Sequence, residues 1–245
     1  SYTRTQESTA DQAALKYLDK VKISARGFLE FMEILGDQEF RVPERQDPYV
    51  RTHPLTRDRV AAIAHHVANS PYSDNAVSSK FDINFRRARA KLYGFLNPIG
   101  HTLGVYKESD NSLESRYARA VGYYREPNLE KAVPLIDGLI AEYPKDPYFR
   151  ELKGQMLFEN GKPGAALVSY QNAVTLLPDN PLIRRELARV QLALNNPALL
   201  DTAIDNLRIA IADDSESPFT WRQLAIAYGR RGDKGHSSLA LAEEA

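Results

Sequence analysis

The spacing of apolar residues along this chain predicts helices. In the first part of the sequence, apolar side chains recur every three or four positions in four stretches, at 6–21, 24–35, 54–69 and 82–96. Pro54 suits the start of the third helix, because proline is well tolerated in the first helical turn. The segment from Pro98 to Asn111 shows no such period and is predicted to be a linker. We therefore expect two domains, at 1–105 and 106–245.

The pattern of the second domain repeats. A frame of 34 residues places small residues, an aromatic residue and a closing proline at matching offsets. The four units lie at about 113–146, 147–180, 181–217 and 218–245, with three extra residues allowed between Asn195 and Asp201. Small residues recur where two antiparallel helices must approach closely, and proline recurs where a helix must end. The spacing thus predicts a series of helical hairpins.

These offsets resemble the tetratricopeptide repeat (TPR). The resemblance implies an all-α fold in which the hairpins stack into a right-handed solenoid with a concave groove, because no single hairpin can bury its apolar face alone. The groove of such a solenoid would bind a peptide or a protein. The alternative is that the repeats only pack on the rest of this chain.

Several positions of each first helix should face the groove. They carry aromatic residues at one end and arginines at the other: Tyr117, Tyr124, Tyr148, Phe158, Arg185, Arg189 and Arg222. Because guanidinium groups bind carboxylates in a bidentate manner, the pattern favours an extended peptide with acidic side chains or a C-terminal carboxylate. The alternative is that the arginines are solvated and paired with Glu151 or Glu186.

Composition excludes several classes of function. The chain has 245 residues, and its 32 Lys and Arg balance 32 Asp and Glu, so no overall field attracts nucleic acid or anionic lipid. Without cysteine it has no disulfide, no thiolate metal site and no cysteine nucleophile. No apolar run approaches the roughly 20 residues of a membrane-spanning helix. A soluble, folded, mostly helical protein is expected.

Two short segments of the first domain indicate chemistry. In the first segment, Glu7 and Asp11 lie four residues apart and share one face of a predicted helix. The second segment begins some forty residues later with Thr52-His53-Pro54 and includes Arg59. In this order and spacing they resemble the BepA-like and Oma-like family of membrane-associated zinc metallopeptidases, whose members often carry C-terminal tetratricopeptide repeats. The resemblance links the two halves of the chain.

The resemblance implies a role for each of these residues. Glu7 would be the third zinc ligand, and Asp11 would orient a ligand imidazole through its other ring nitrogen. Arg59 also matches the family segment and would pair with an acidic group near the site. His53 would lie in a loop over the active site, where its imidazole could take the open zinc position and keep the enzyme latent. A capping or packing role for His53 is the alternative.

The chain departs from the family in one respect. No His-Glu-x-x-His occurs in the sequence, so two zinc ligands and the general base are missing. Since that motif should precede Glu7, we expect the C-terminal portion of a periplasmic or envelope-associated zinc endopeptidase, inactive by itself and not retaining Zn²⁺. Its repeats would recruit substrates or the envelope protein-assembly machinery in protein quality control. A non-enzymatic TPR scaffold, or a cytosolic peptide-binding adaptor, is the alternative.

Overall fold

The computed structural model describes residues 4–39, 57–76 and 78–244. These residues form helices joined by turns, and no strand occurs among them. The chain divides into two compact units, 1–84 and 85–245, with the division inside a helix. No helix in the described ranges combines the length and the apolar composition that crossing a bilayer requires.

The first unit is a small helical cluster. It contains α1 (Arg4–Lys20), α2 (Arg26–Glu39), α3 (Arg57–Asn69) and the first residues of α4 (Ser79–Leu96). Its core consists of Leu15, Ala25, Met32, Leu35, Ile63 and Val67. The Ser24 hydroxyl donates to the carbonyl of Ser73 at 2.6 Å, which fastens the start of α2 to the turn after α3.

The second unit continues α4 and adds nine helices. They are α5 (Ile99–Val105), α6 (Leu113–Arg125), α7 (Leu129–Glu142), α8 (Pro147–Glu159), α9 (Pro163–Leu176), α10 (Pro181–Ala193), α11 (Leu200–Asp213), α12 (Pro218–Arg231) and α13 (Lys234–Glu244). From α6 onward, each helix packs against the next one along the chain. This is the all-α hairpin series that the repeats predict. The three extra residues of the third unit lie beside a short 3-10 helix, Pro197–Leu199.

Side-chain caps start the first helix of each repeat. Ser112, Asp146, Asn180 and Ser217 each accept a hydrogen bond from a backbone N–H of the first turn. In the last three repeats proline follows the cap, where its missing N–H costs nothing. The helix starts therefore coincide with the first position of each sequence frame.

The segment predicted to be a linker is partly helical. Residues 99–105 form α5, which packs against α6. The end of α4 also lies against α6, because Gly94 has no side chain to hold the two helices apart. The unit boundary consequently falls between Asn84 and Phe85, whereas the sequence pattern placed it at 105/106.

Candidate functional site

A buried cluster of three charged side chains lies in the first unit. It consists of Glu7, Asp11 and Arg59, and we call it the charge triad. Arg59 donates from Nε to Asp11 Oδ2 at 2.6 Å and from Nη2 to Asp11 Oδ1 at 2.9 Å. Its Nη1 lies 3.2 Å from Glu7 Oε2. All three residues are at most 8% exposed, so the guanidinium is held between two carboxylates away from solvent.

The members of the triad lie on the same faces of α1 and α3 as the apolar core residues of this unit. On α1, Glu7 and Asp11 are followed four residues later by the core residue Leu15, and on α3, Arg59 is followed four residues later by Ile63. Residues four apart share one face of a helix. The packing of α1 on α3 through leucine and isoleucine therefore also brings the carboxylates to the guanidinium.

The triad by itself offers too few ligands for a zinc site. Zinc in a peptidase needs three protein ligands and an open position. Residues 4–39, 57–76 and 78–244 contain no group of three His, Cys, Asp or Glu side chains able to hold a metal ion. Both oxygens of Asp11 bind Arg59, and Glu7 lies 3.2 Å from the same guanidinium. These residues fit zinc only if two further ligands come from elsewhere.

The structure does not describe the histidine that the sequence predicts to lie over the active site. His53 falls within 40–56, outside the residues that the structure describes. Its proposed role as a regulatory zinc ligand therefore stays a prediction from the sequence.

A second candidate site is a cavity of about 360 Å³ in the repeat unit. We call it the repeat cavity. Residues from the end of α4 and from α8, α9 and α10 line it, among them Lys91, Tyr148, Glu151, Glu159, Tyr170 and Arg189. One water occupies about 30 Å³ in the liquid, so the cavity has room for a side chain together with several waters.

The predicted groove aromatics fall into two groups. Tyr117 is 3% exposed and packs edge-on against Phe149 in the core. Tyr124 is also buried, and its hydroxyl donates to Glu159. By contrast, Tyr148 is 46% exposed at the cavity, and Phe158 is half-buried beneath the guanidinium of Arg189. The structure thus places two of these aromatic residues on accessible surface of the repeats.

The predicted groove arginines are paired within the chain. Arg185 and Arg189 both contact Glu186, at 3.2 and 3.1 Å. Arg222 donates to Glu244 at 2.6 Å and lies outside the repeat cavity. This is the paired arrangement that the sequence left open as the alternative for the arginines at 185 and 189. Their charge is shared with a neighbouring carboxylate before any ligand arrives.

Burial dominates the electrostatics at the cavity. It raises the pKa of Glu151, and the ammonium group of Lys91, 3.4 Å away, opposes that rise. Burial also raises the pKa of the Tyr170 hydroxyl, and the nearby Glu151 and Glu186 carboxylates add to the effect. The hydroxyl of Tyr170 therefore stays protonated at neutral pH and can donate a hydrogen bond.

Sequence reasoning did not select Lys91, Glu151 or Tyr170 as site residues. Tyr170 lies on α9, the second helix of its hairpin, and reaches the cavity because Gly154 on α8 leaves room for its ring. A Cβ at Gly154 would lie 2.7 Å from that ring. The pairing of a small residue with an aromatic one within a single repeat is the signal that could have located it.

Known proteins resemble both parts of the chain. The model of peptidase family M48 matches residues 1–67. The Beta-barrel assembly-enhancing protease of Yersinia pestis is 25% identical over 253 residues, a match that covers 99% of this chain and 50% of that protein. The chain therefore spans about half the length of this curated relative.

Solved structures resemble the repeat part. YrrB, described as a TPR protein with an unusual peptide-binding site, superposes with a TM-score of 0.53 at 18% identity, covering 65% of this chain and 82% of that one. MamA gives a TM-score of 0.52 at 16% identity, with 60% and 84% covered. Together with the match to family M48, these likenesses confirm the resemblance and the TPR-type helical fold predicted from the sequence.

Proposed function

We propose, from the likeness of residues 1–67 to peptidase family M48, that this chain is the C-terminal part of a zinc-dependent endopeptidase whose repeats recruit proteins. The observation that carries the proposal is the burial of Glu7 and Asp11 side by side on α1, inside the matched region. A carboxylate buried beside a second one is costly, and such sites are often functional.

In this proposal each member of the triad has a separate task. Glu7 supplies one zinc ligand. Arg59 holds both oxygens of Asp11, and these oxygens retain lone pairs with which to orient a ligand imidazole. Bound zinc would lower the pKa of a water and polarise the peptide carbonyl. Arg59 also offsets one of the two negative charges when the metal is absent.

The remaining parts of the active site would come from a part of the protein outside these 245 residues. The sequence has no His-Glu-x-x-His, and the chain spans about half of its curated relative. We propose that the two histidine ligands and the general base belong to that additional part, so that the 245 residues alone neither retain zinc nor hydrolyse peptides. His53 would take the open zinc position in the latent state.

The native polypeptide that carries this sequence tests the proposal. Isolated from its source, it should be longer than 245 residues by mass spectrometry, contain about one zinc per chain, and cleave casein. Replacing Glu7 with Gln removes the charged ligand but keeps the shape of the side chain. Mutation of residues that only orient the metal ligands typically lowers metal affinity or activity about 10- to 100-fold. Because Glu7 would itself be a ligand, we expect zinc affinity and peptidase activity to fall by at least that much.

Glu33→Gln is the matched control, since Glu33 is exposed on α2 and should leave zinc content and activity unchanged. A native polypeptide of 245 residues without zinc would contradict the peptidase proposal. It would instead support a non-enzymatic TPR scaffold. The observation that favours this second candidate is that Arg59 already contacts both carboxylates and offsets one of their two charges without a metal.

The repeats and the location of the protein complete the proposal. The relative from Yersinia pestis is named for enhancing β-barrel assembly. We propose that the present protein likewise acts at the cell envelope, in the periplasm, and that its repeats bind protein-assembly machinery or substrates. Tyr148 and Phe158 at the repeats, with Arg185, Arg189 and Arg222, would contact such partners.

A further inference from the structure

One position of the repeat carries an exposed apolar side chain in three successive units. The second residue of each of the last three units is Tyr148, Leu182 or Phe219, and these side chains are 46%, 57% and 42% exposed. We call these three residues the apolar ladder. Single exposed apolar side chains are ordinary on a protein surface, but contiguous ones mark interaction sites. A row that recurs with the repeat places one apolar group on each of α8, α10 and α12.

Contacts join the ladder into one surface. Tyr148 and Leu182 both line the repeat cavity. Arg185 and Arg189 line it as well, and their guanidinium carbons lie 5.5 and 6.0 Å from the ring centre of Phe219. The accessible surface therefore continues from α8 across α10 to α12.

In the first repeat, the corresponding surface is covered by α4. The second residue of that unit is Glu114, and it pairs with Arg86 of α4 at 3.4 Å. Further along, Phe95 of α4 packs edge-on against Tyr124, with the ring centres 6.1 Å apart. The first helix of this repeat thus already holds another segment of the chain, in part through apolar contacts. The ladder continues the same face of the repeats where its side chains remain exposed.

The charged side chains beside the ladder are balanced and paired. Three cations and three carboxylates line the repeat cavity: Lys91, Arg185, Arg189, Glu151, Glu159 and Glu186. Lys91 lies 3.4 Å from Glu151, and the two arginines share Glu186. The hydroxyl of Tyr124 donates to Glu159. The cavity lining consequently selects neither a cation nor an anion, and exposed apolar area is what a ligand can bury.

We propose that the apolar ladder binds an extended, uncharged segment of a partner protein, with apolar side chains such as leucine against Tyr148, Leu182 and Phe219. An extended segment suits a row that crosses three helices, because every second side chain of such a segment points to the same side. This inference rests on the proposed recruitment of proteins by the repeats and specifies what they select. It replaces the acidic peptide favoured by the sequence, since Arg185 and Arg189 already share a carboxylate.

Binding of matched peptides tests the inference. The probes are acetylated and amidated peptides, Gly-Ser-Xaa-Ser-Xaa-Ser-Xaa-Ser-Gly, in which Xaa is Leu, Asn, Lys or Glu, titrated calorimetrically into the 245-residue chain. Leucine and asparagine have similar sizes, but only leucine gains from leaving water. We therefore expect the Leu peptide to bind at least about tenfold more tightly than the Asn peptide. The Lys and Glu peptides should bind no better than the Asn peptide.

Salt distinguishes apolar from charged recognition. Raising NaCl from about 50 to about 500 mM should change the affinity for the Leu peptide less than about twofold, because salt screens charges and leaves apolar contacts in place. Leu182→Asn and Phe219→Asn should each weaken the Leu peptide at least about threefold. Both side chains are exposed, so circular dichroism should show the helix content of the wild type.

Leu239→Asn is the matched control. Leu239 is 58% exposed, as Leu182 is, but lies on α13, the second helix of its unit, and does not line the repeat cavity. Its replacement should leave all affinities unchanged. Binding of the Asn, Lys or Glu peptide as tightly as the Leu peptide would overturn the apolar ladder and leave peptide binding by the repeats intact. So would a Leu preference that survives both ladder variants. Binding of none of the four peptides at millimolar concentration would overturn the ladder and the peptide binding on which it rests.

Discussion

Replacing Arg59 with Met should unfold the first unit of this chain while the repeats remain folded. The change keeps a long apolar stem but removes the guanidinium that lies between the buried carboxylates of Glu7 and Asp11. Removing one partner of a buried ion pair typically costs about 3–5 kcal/mol. That is comparable with the whole stability of a small domain, about 5 kcal/mol at the low end.

Hydrogen exchange measured by mass spectrometry on the complete chain reports this change directly. Amides of α1 and α3 should lose their protection in the Arg59→Met variant, and peptides from α8 to α12 serve as an internal reference. The matched control is Arg57→Met, which removes an exposed arginine two residues earlier on α3 and should leave exchange unaltered. If the Arg59 variant exchanged like the wild type, the charge triad would not stabilise this unit.

A second variant separates charge from packing. When a buried ion pair or triad is replaced as a whole by apolar residues of similar size, stability is often unchanged or increased by about 1–4 kcal/mol. The variant Glu7→Leu, Asp11→Leu, Arg59→Met should therefore regain the protection that Arg59→Met loses. Such recovery would mean that the three charges are not needed for stability, in agreement with the proposed role of Glu7 as a zinc ligand.

The second large effect is expected at Gly94, where α4 lies against α6. Glycine is the poorer helix former, so Gly→Ala inside a helix usually stabilises a protein by about 1 kcal/mol. Here the opposite is expected. An added Cβ would lie 2.6 Å from the carbonyl oxygen of Ala118 and 2.9 Å from Cβ of Val121, and neither atom can move without shifting α6. Overpacking of this kind costs about 1–3 kcal/mol.

Thermal unfolding followed by circular dichroism measures this effect. In a domain of this size, each kcal/mol of lost stability lowers Tm by about 2–4 °C. The control is Gly104→Ala on α5, where an added Cβ meets nothing within 4 Å, so Tm should stay the same or rise slightly. An unchanged or higher Tm for Gly94→Ala would mean that α4 does not pack on the repeats in the way the structure shows.

Much of the fold was predictable from local pattern. The first helices of the repeats begin at Leu113, Pro147, Pro181 and Pro218, where the 34-residue frame places them. Caps and prolines act within one helical turn, and their effect on the backbone does not depend on distant residues. The helical character of residues 99–105 was missed, because a short helix packed on a neighbour needs no amphipathic period of its own.

The candidate sites were predictable only in part. The four-residue spacing of Glu7 and Asp11 indicates a shared helix face, and that face is buried in the structure. The sequence also pointed to Arg59, without naming the acidic group that pairs with it. For the repeats, the sequence left open whether the arginines bind a peptide or pair with Glu151 or Glu186. The structure pairs Arg185 and Arg189 with Glu186 on the same helix.

The sequence by itself determined the helical class, the repeat register, the resemblance to a zinc peptidase and the absence of His-Glu-x-x-His, because each depends on residues close together along the chain. Only the tertiary structure decided that Arg59 binds Asp11 across 48 residues, and that the later part of α4 and all of α5 belong with the repeats. These features depend on which helix faces meet and how closely. The size of the side chains at the contacts sets that geometry, as at Gly94, which has no Cβ. The spacing of apolar residues along the sequence does not reveal it.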